Sequence, residues 1–120
     1  SAASGEQAIL PLLNAYPDMD ALFVANDQMS LGVLQVAGRQ GLRVPHDLAI
    51  VGFDGIPESA YFWPPLTTVY QDLRQLGRTA VRELVHAIEA VRRGEAAGGP
   101  VTTSLRPELI VRASSTLSER

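Results

Sequence analysis

Apolar positions along the chain alternate between helical spacing and short continuous runs. Gly5 to Tyr16 carries Ala8, Leu12 and Ala15 at helical spacing with Ile9 and Leu13 beside them, and Pro11 predicts a start near Leu10 or a kink. Ala21 to Ala25 is a short apolar run between Pro17-Asp18 and Asn26-Asp27, the pattern of a strand buried on both faces. Gln28 to Gln40 returns to helical spacing with Leu31, Leu34 and Gly38, widened by Val33, Val36 and Ala37, and Gly41 is its stop. Leu48 to Phe53 predicts a second strand ended by Asp54-Gly55, and Thr67 to Tyr70 a third, with the non-periodic Ile56 to Pro65 between them. Asp72 with Gln75 forms a capping-box pattern ahead of Leu73, Leu76, Ala80, Leu84, Ile88 and Val91, a helix running to Arg93 and spanning roughly 33 Å. Glu95 to Pro100 reads as a flexible linker, Val101 to Leu105 and Leu109 to Ala113 as β-rich segments split by Pro107, and Ser114 to Arg120 as a disordered polar tail. Strand, helix and strand joined by short loops predict a βαβ unit, and the fold class is α/β: a parallel sheet with flanking helices in three layers.

Composition narrows the function. A chain of 120 residues amounts to one domain at most, and at 46% hydrophobic it can fill a core. No run approaches the ~18 apolar residues of a membrane span, and SAASGEQ at the start has neither a basic nor an apolar region of an export signal. Ser1 to Ala3 read as a cloning remnant. The absence of Cys removes disulfides, thiolate nucleophiles and zinc-thiolate sites, and suits a reducing compartment. All ten basic residues are Arg, scattered singly apart from Arg92-Arg93, and the net charge is −3, so these residues carry no electrostatic footprint for nucleic acid.

Ligands of doubly wound parallel sheets bind beyond the carboxyl ends of the strands, where loops diverge and helix N-termini face the crevice. Three polar residues fall there, one per strand: Asn26, Asp54 and Gln71. A carboxylate accepts and two carboxamides both donate and accept, a set able to bracket adjacent hydroxyls of a small polyol. The competing reading is that Asn26 and Asp54 serve only helix or turn amides, as Asx residues often do.

The stretch FVANDQMSLGVLQVAGRQGLRVPHDLAIVGFDGIPESAYFWPPLTTVYQDLRQLG, from Phe23 to Gly77, resembles the effector-binding domain of the LacI/GalR family of bacterial transcriptional repressors. Its marks are ANDQMSLG at Ala25 to Gly32, the run from Gly41 to Asp54, and PPLTTVYQD from Pro64 to Asp72; the resemblance continues less sharply to about Ala113. It implies a cytoplasmic homodimer with an N-terminal helix-turn-helix, a hinge helix, and a two-lobed domain, similar to periplasmic sugar-binding proteins, that closes around a sugar or nucleobase. Asn26 and Asp54 match positions that hydrogen-bond effector hydroxyls in that family, and Gln71 a third cleft position; the resemblance tips the balance from turn-forming to ligand contact. Asp27 is assigned to capping the Gln28 to Gln40 helix.

The resemblance further places Met29, Val33, Val36, Glu58, Ser59, Tyr61 and Phe62 at a dimer interface, through the outer face of that helix and a strand ahead of Pro64-Pro65. Tyr61-Phe62-Trp63 also reads as a cleft wall that stacks on a sugar, and the Val and Met as plain core. His46 and His86 lack partners at metal-ligand spacing, so no metal or cofactor is expected. A periplasmic solute-binding protein shares the two-lobed fold. An enzyme using Asp27 or Asp54 has no second group at hand, and none is expected. Residues 1–113 then form the later part of the effector domain, a partial second lobe. Operator contact is left to an absent N-terminal domain, and the helix from Asp72 to Arg93 crosses to the missing lobe. Left alone, that helix's apolar stripe is expected to be hidden by dimerisation, swapping or local refolding.

Overall fold

The computed structural model describes residues 1–95, 99 and 101–117. Two compact units divide the chain: Ser1–Tyr70 together with the segment from Glu108 onward, and Gln71–Pro107. The first unit contains the whole sheet.

Its opening helix, α1, runs Ala2–Ala15, so it begins eight residues before Leu10 and passes through Pro11. Pro11 lies on the solvent side, where the helical bond it cannot donate is left to water. Ser1 caps this helix through its hydroxyl, which accepts from the Ser4 N–H at 3.3 Å. Ser1 to Ala3 are therefore ordered as part of α1 and its cap. Helix α2, Asp27–Arg39, packs on α1 so closely that a Cβ on Gly5 would stand 2.0 Å from the Met29 carbonyl, and one on Gly32 would stand 1.9 Å from that of Ala2. An exposed Arg39–Glu6 ion pair closes the rim of this contact.

The sheet has the order β1-β2-β3-β4, with β1 Ala21–Phe23, β2 Ala49–Asp54, β3 Thr67–Tyr70 and β4 Glu108–Ile110. The first three are parallel, in register Phe23↔Val51 and Val51↔Thr67, and β4 runs antiparallel to β3. Only Glu108–Ile110 of the two β-rich segments pairs; Val101 to Leu105 forms no strand. β1 departs from its expectation of burial on both faces: it is an edge strand, with Phe23 62% exposed. The core lies between the sheet and the helices, where Ile9 of α1 meets Val33, Leu34 and Val36 of α2 and Val24, Leu48, Ile50 and Leu66 from the sheet and its flanks.

The tail is not loose where it is described. Ser114 is completely buried and fills the gap where β2 and β3 diverge. Its N–H donates to the Pro65 carbonyl at 2.9 Å, its carbonyl accepts from Ile50 N–H at 2.8 Å, its hydroxyl donates to the Ile50 carbonyl at 2.6 Å, and the same oxygen accepts from Thr67 N–H at 2.8 Å. The reason is backbone satisfaction: β2 extends beyond the first paired residue of β3, and its buried peptide groups need partners. Residues 118–120, and 96–98 and 100 of the expected linker, lie outside the described residues.

In the second unit, α3 spans Leu73–Arg92, with the Asp72 carboxylate accepting from Gln75 N–H at 2.9 Å and Gly94 in the left-handed region just past its end. No local refolding hides its stripe; Leu73, Leu84 and Val91 are exposed and only Thr79 is buried.

Candidate functional site

Strand register sets the geometry of the candidate site. Phe23 pairs with Val51, and three residues further along each strand stand Asn26 and Asp54, at matching positions beyond neighbouring carboxyl ends. Asp54 itself pairs with Tyr70, the last residue of β3, and Gln71 follows at once. Parallel register thus brings the ends carrying Asn26 and Asp54 together. Gln71 opens the second unit, where it lines a cavity of about 110 Å³ with Asp72, Gln75, Leu76, Leu105 and Arg106.

Asp54 sits at φ 99, the only non-glycine residue at positive φ among those described, and Gly55 follows at φ 70. A carboxylate side chain in that region is tolerated but costs energy, and such residues cluster at functional positions. Gly55 is required twice over: by its own φ, and because a Cβ there would come within 2.7 Å of Tyr70 Cα. The turn therefore leaves the sheet sharply, directly after the carboxylate.

At the start of α2 the cap falls one residue earlier than expected. Asn26, not Asp27, is the cap: its backbone is extended at φ −157, ψ 161, and its Oδ1 accepts from Met29 N–H at 2.9 Å. Capping occupies the carbonyl oxygen and leaves the amide NH₂ as the group that can donate to a ligand. Asp27 is fully buried instead, its Oδ2 accepting from Ile56 N–H at 2.9 Å and its Oδ1 from the Thr68 hydroxyl at 2.6 Å. The nearest sequence signal was the Asn-Asp pair itself, which does not say which of the two turns inward.

The interface set is also divided by burial. Val33, Val36 and Ser59 are buried inside the chain, so these three support the fold and are not a free face, whereas Met29 and Phe62 are half-buried and pack against the core. Glu58 and Tyr61 are exposed, Tyr61 to 88%, beside Trp63 at 92%. The segment carrying them, Pro57–Tyr61, is a 3₁₀ helix and not a strand. It is braced from within by Arg112, whose guanidinium donates to Ser59 Oγ at 3.0 Å and to the Leu66 carbonyl at 2.8 Å.

His46 and His86 are both exposed, and the described residues hold no group of three metal-ligating side chains. Among the described residues no helix is long and apolar enough to cross a membrane.

Residues 1–115 match the model of the periplasmic binding protein-like domain. The chain belongs to that family. Within it, the likeness is to LacI/GalR repressors, as the motifs indicated. The chain is 39% identical to the lactose operon repressor of Escherichia coli K12 over 118 residues, 98% of this chain and 31% of the relative. It superposes on the transcriptional regulator CelR–cellobiose complex with a TM-score of 0.85 at 36% identity, covering 96% of this chain and 34% of that one. A lac repressor dimer bound to operator and the anti-inducer ONPF gives a TM-score of 0.82 at 38% identity, covering 96% and 38%. The chain therefore spans about a third of the length of these relatives. Its periplasmic binding protein-like fold is the α/β arrangement expected, with the one antiparallel strand, β4, added at the edge.

Proposed function

We propose that this chain is the effector-sensing part of a sugar-responsive bacterial transcriptional regulator, working in the cytoplasm as a homodimer. A small polyol or nucleobase-type ligand binds beyond the strand ends at Asn26 and Asp54. Occupancy changes the operator affinity of a helix-turn-helix domain elsewhere in the protein. The ligand acts by differential affinity: one that fits the closed crevice better shifts the dimer toward the geometry that goes with closure. The observation that carries the reading is the positive-φ Asp54 at the carboxyl end of β2, in register with Asn26 on the neighbouring strand. The relatives named are repressors and a transcriptional regulator, which favours this reading over a periplasmic solute-binding protein. No catalytic step belongs to it.

The test is a thermal-shift screen of the complete protein against mono- and disaccharides, cellobiose among them, and nucleobases. A ligand at a hundredfold excess over Kd stabilises by roughly 2.7 kcal/mol. Asp54→Ala and Asn26→Ala are each expected to weaken the best ligand by about tenfold to a hundredfold, the worth of one charge-assisted or well-placed hydrogen bond. Unchanged affinity in both variants removes the site.

A further inference from the structure

Asp27 is a buried carboxylate that the proposed ligand site does not use. Both of its oxygens accept hydrogen bonds, an arrangement open to a carboxylate and closed to a carboxamide, whose second polar group is a donor. One of the two partners is the N–H of Ile56, two residues after Asp54. The other is the hydroxyl of Thr68, inside β3 and fully buried. Room for the carboxylate exists only because residue 52 of the intervening strand is glycine: a Cβ there would stand 2.3 Å from Asp27 Oδ1. Asp27 also sits in the first turn of α2, where the helix dipole favours a negative group. One side chain thus joins the start of α2, the middle of β3 and the far end of the turn that begins with Asp54.

That turn needs a hold. Asp54 at φ 99 and Gly55 at φ 70 form a strained pair, and strain of this kind persists only where the surroundings fix it. On its near side the turn is fixed by the pairing of Asp54 with Tyr70. On its far side the Ile56 N–H is held by Asp27, while the Ile56 carbonyl accepts from Ser59 N–H at 3.0 Å and from the Ser59 hydroxyl at 2.6 Å. We propose that Asp27 is a positioning residue for ligand recognition: by holding Ile56 it keeps the Asp54 backbone in the left-handed region and so aims the Asp54 carboxylate at the ligand. The inference rests on Asp54 as a ligand contact.

Amide hydrogen exchange on the complete, ligand-free protein tests the hold. Asp27→Asn is expected to speed exchange at Ile56 by about 100-fold, against less than about tenfold across β2 and β3. Thr68→Val keeps the carboxylate and frees it on one side; about a tenfold rise confined to Ile56 is expected, which serves if Asp27→Asn does not fold. No selective change at Ile56 in either variant, or a uniform rise over the whole sheet, overturns the proposal. The functional arm is a double-mutant cycle in affinity for cellobiose, or for the sugar giving the largest thermal shift if cellobiose gives none. Asp27→Asn should cost at least about tenfold in the parent protein and less than about twofold in the Asp54→Ala background. Equal losses in both backgrounds make Asp27 a purely structural residue and overturn the proposal. If Asp54→Ala itself leaves sugar affinity unchanged while Ile56 exchange still responds selectively, the ligand reading fails and the hold on the turn survives.

Discussion

Replacing Ser114 by Ala isolates the contribution of a single hydroxyl to the sheet. The hydroxyl makes two bonds, accepting from Thr67 N–H at 2.8 Å and donating to the Ile50 carbonyl at 2.6 Å, and Ser114 is wholly buried. Its own peptide bonds to Pro65 and Ile50 are untouched by the substitution, so the loss is confined to the side chain. Thr67 N–H is then left without a partner in a site closed to water, which costs about 1 to 3 kcal/mol, and the Ile50 carbonyl loses a bond worth about 1 kcal/mol. Together these predict a destabilisation of about 2 to 4 kcal/mol. With a urea slope of about 2 kcal/mol/M for a domain of this size, the unfolding midpoint should fall by about 1 to 2 M without a change of slope. Ser115→Ala is the control. Ser115 Oγ also meets Thr67, at 2.7 Å from its hydroxyl, but in a partly open position, and its removal should shift the midpoint by less than about 0.5 M. Urea unfolding followed by circular dichroism decides the matter: a Ser114→Ala midpoint within about 0.3 M of the parent would show that the C-terminal segment does not complete the sheet.

Two other outcomes follow from surface groups. Hydrogen bonds from the Arg43 side chain and from its backbone N–H, joined by the guanidinium charge, hold the Asp47 carboxyl well below the usual carboxylate range. Because the folded value is the lower one, this pairing contributes in full above the unfolded value near ~4 and is lost as pH falls through the folded value. Carboxyl chemical shifts measured on acidification should show Asp47 titrating well below the usual aspartate range, and Arg43→Gln should return it to that range; a normal titration in the parent protein refutes the pairing. Tyr61, 88% exposed, can be changed to Asp with less than about 0.5 kcal/mol of effect on folding, and in the complete protein this should shift light scattering toward the monomer. A dimer of unchanged strength takes Tyr61 out of the interface.

Most of the first unit was legible because its signals are local. The runs at Leu48 to Phe53 and Thr67 to Tyr70 became β2 and β3 within a residue of their expected bounds, and Asp72 caps α3 through the bond its pattern predicts. What was not legible depended on distant partners. Polarity such as SSTLSER from Ser114 to Arg120 is normally the mark of a loose end, and Ser114 departs from it only because β2 and β3 leave peptide groups that a small hydroxyl residue can satisfy from 47 positions away. Pro11 is tolerated inside α1 because only the solvent side loses a bond, a fact about the helix's orientation that its sequence does not contain. Val33 and Val36 read as an outer face only until α1 is seen to lie across α2.

The site shows the same division more sharply. Asn26 and Asp54 were selected as candidates because each follows an apolar run that ends a strand, and strand ends are where such folds present polar groups. The role of Asp27 was missed through an error of a single residue in where α2 begins. Starting the helix at Gln28 makes Asp27 the cap; starting it at Asp27 makes Asn26 the cap and turns Asp27 inward, since one residue is about 100° of rotation. Burying a carboxylate is then expensive unless both oxygens are met, and the two donors that meet them, Ile56 N–H and the Thr68 hydroxyl, lie 29 and 41 residues away. Gly52, inside β2, shares that dependence: in sequence it weakens a strand, and in the fold it is the space the carboxylate occupies. A candidate ligand contact can therefore be read one strand at a time, whereas the group proposed to hold it in place becomes visible only when α2, β2 and β3 are assembled.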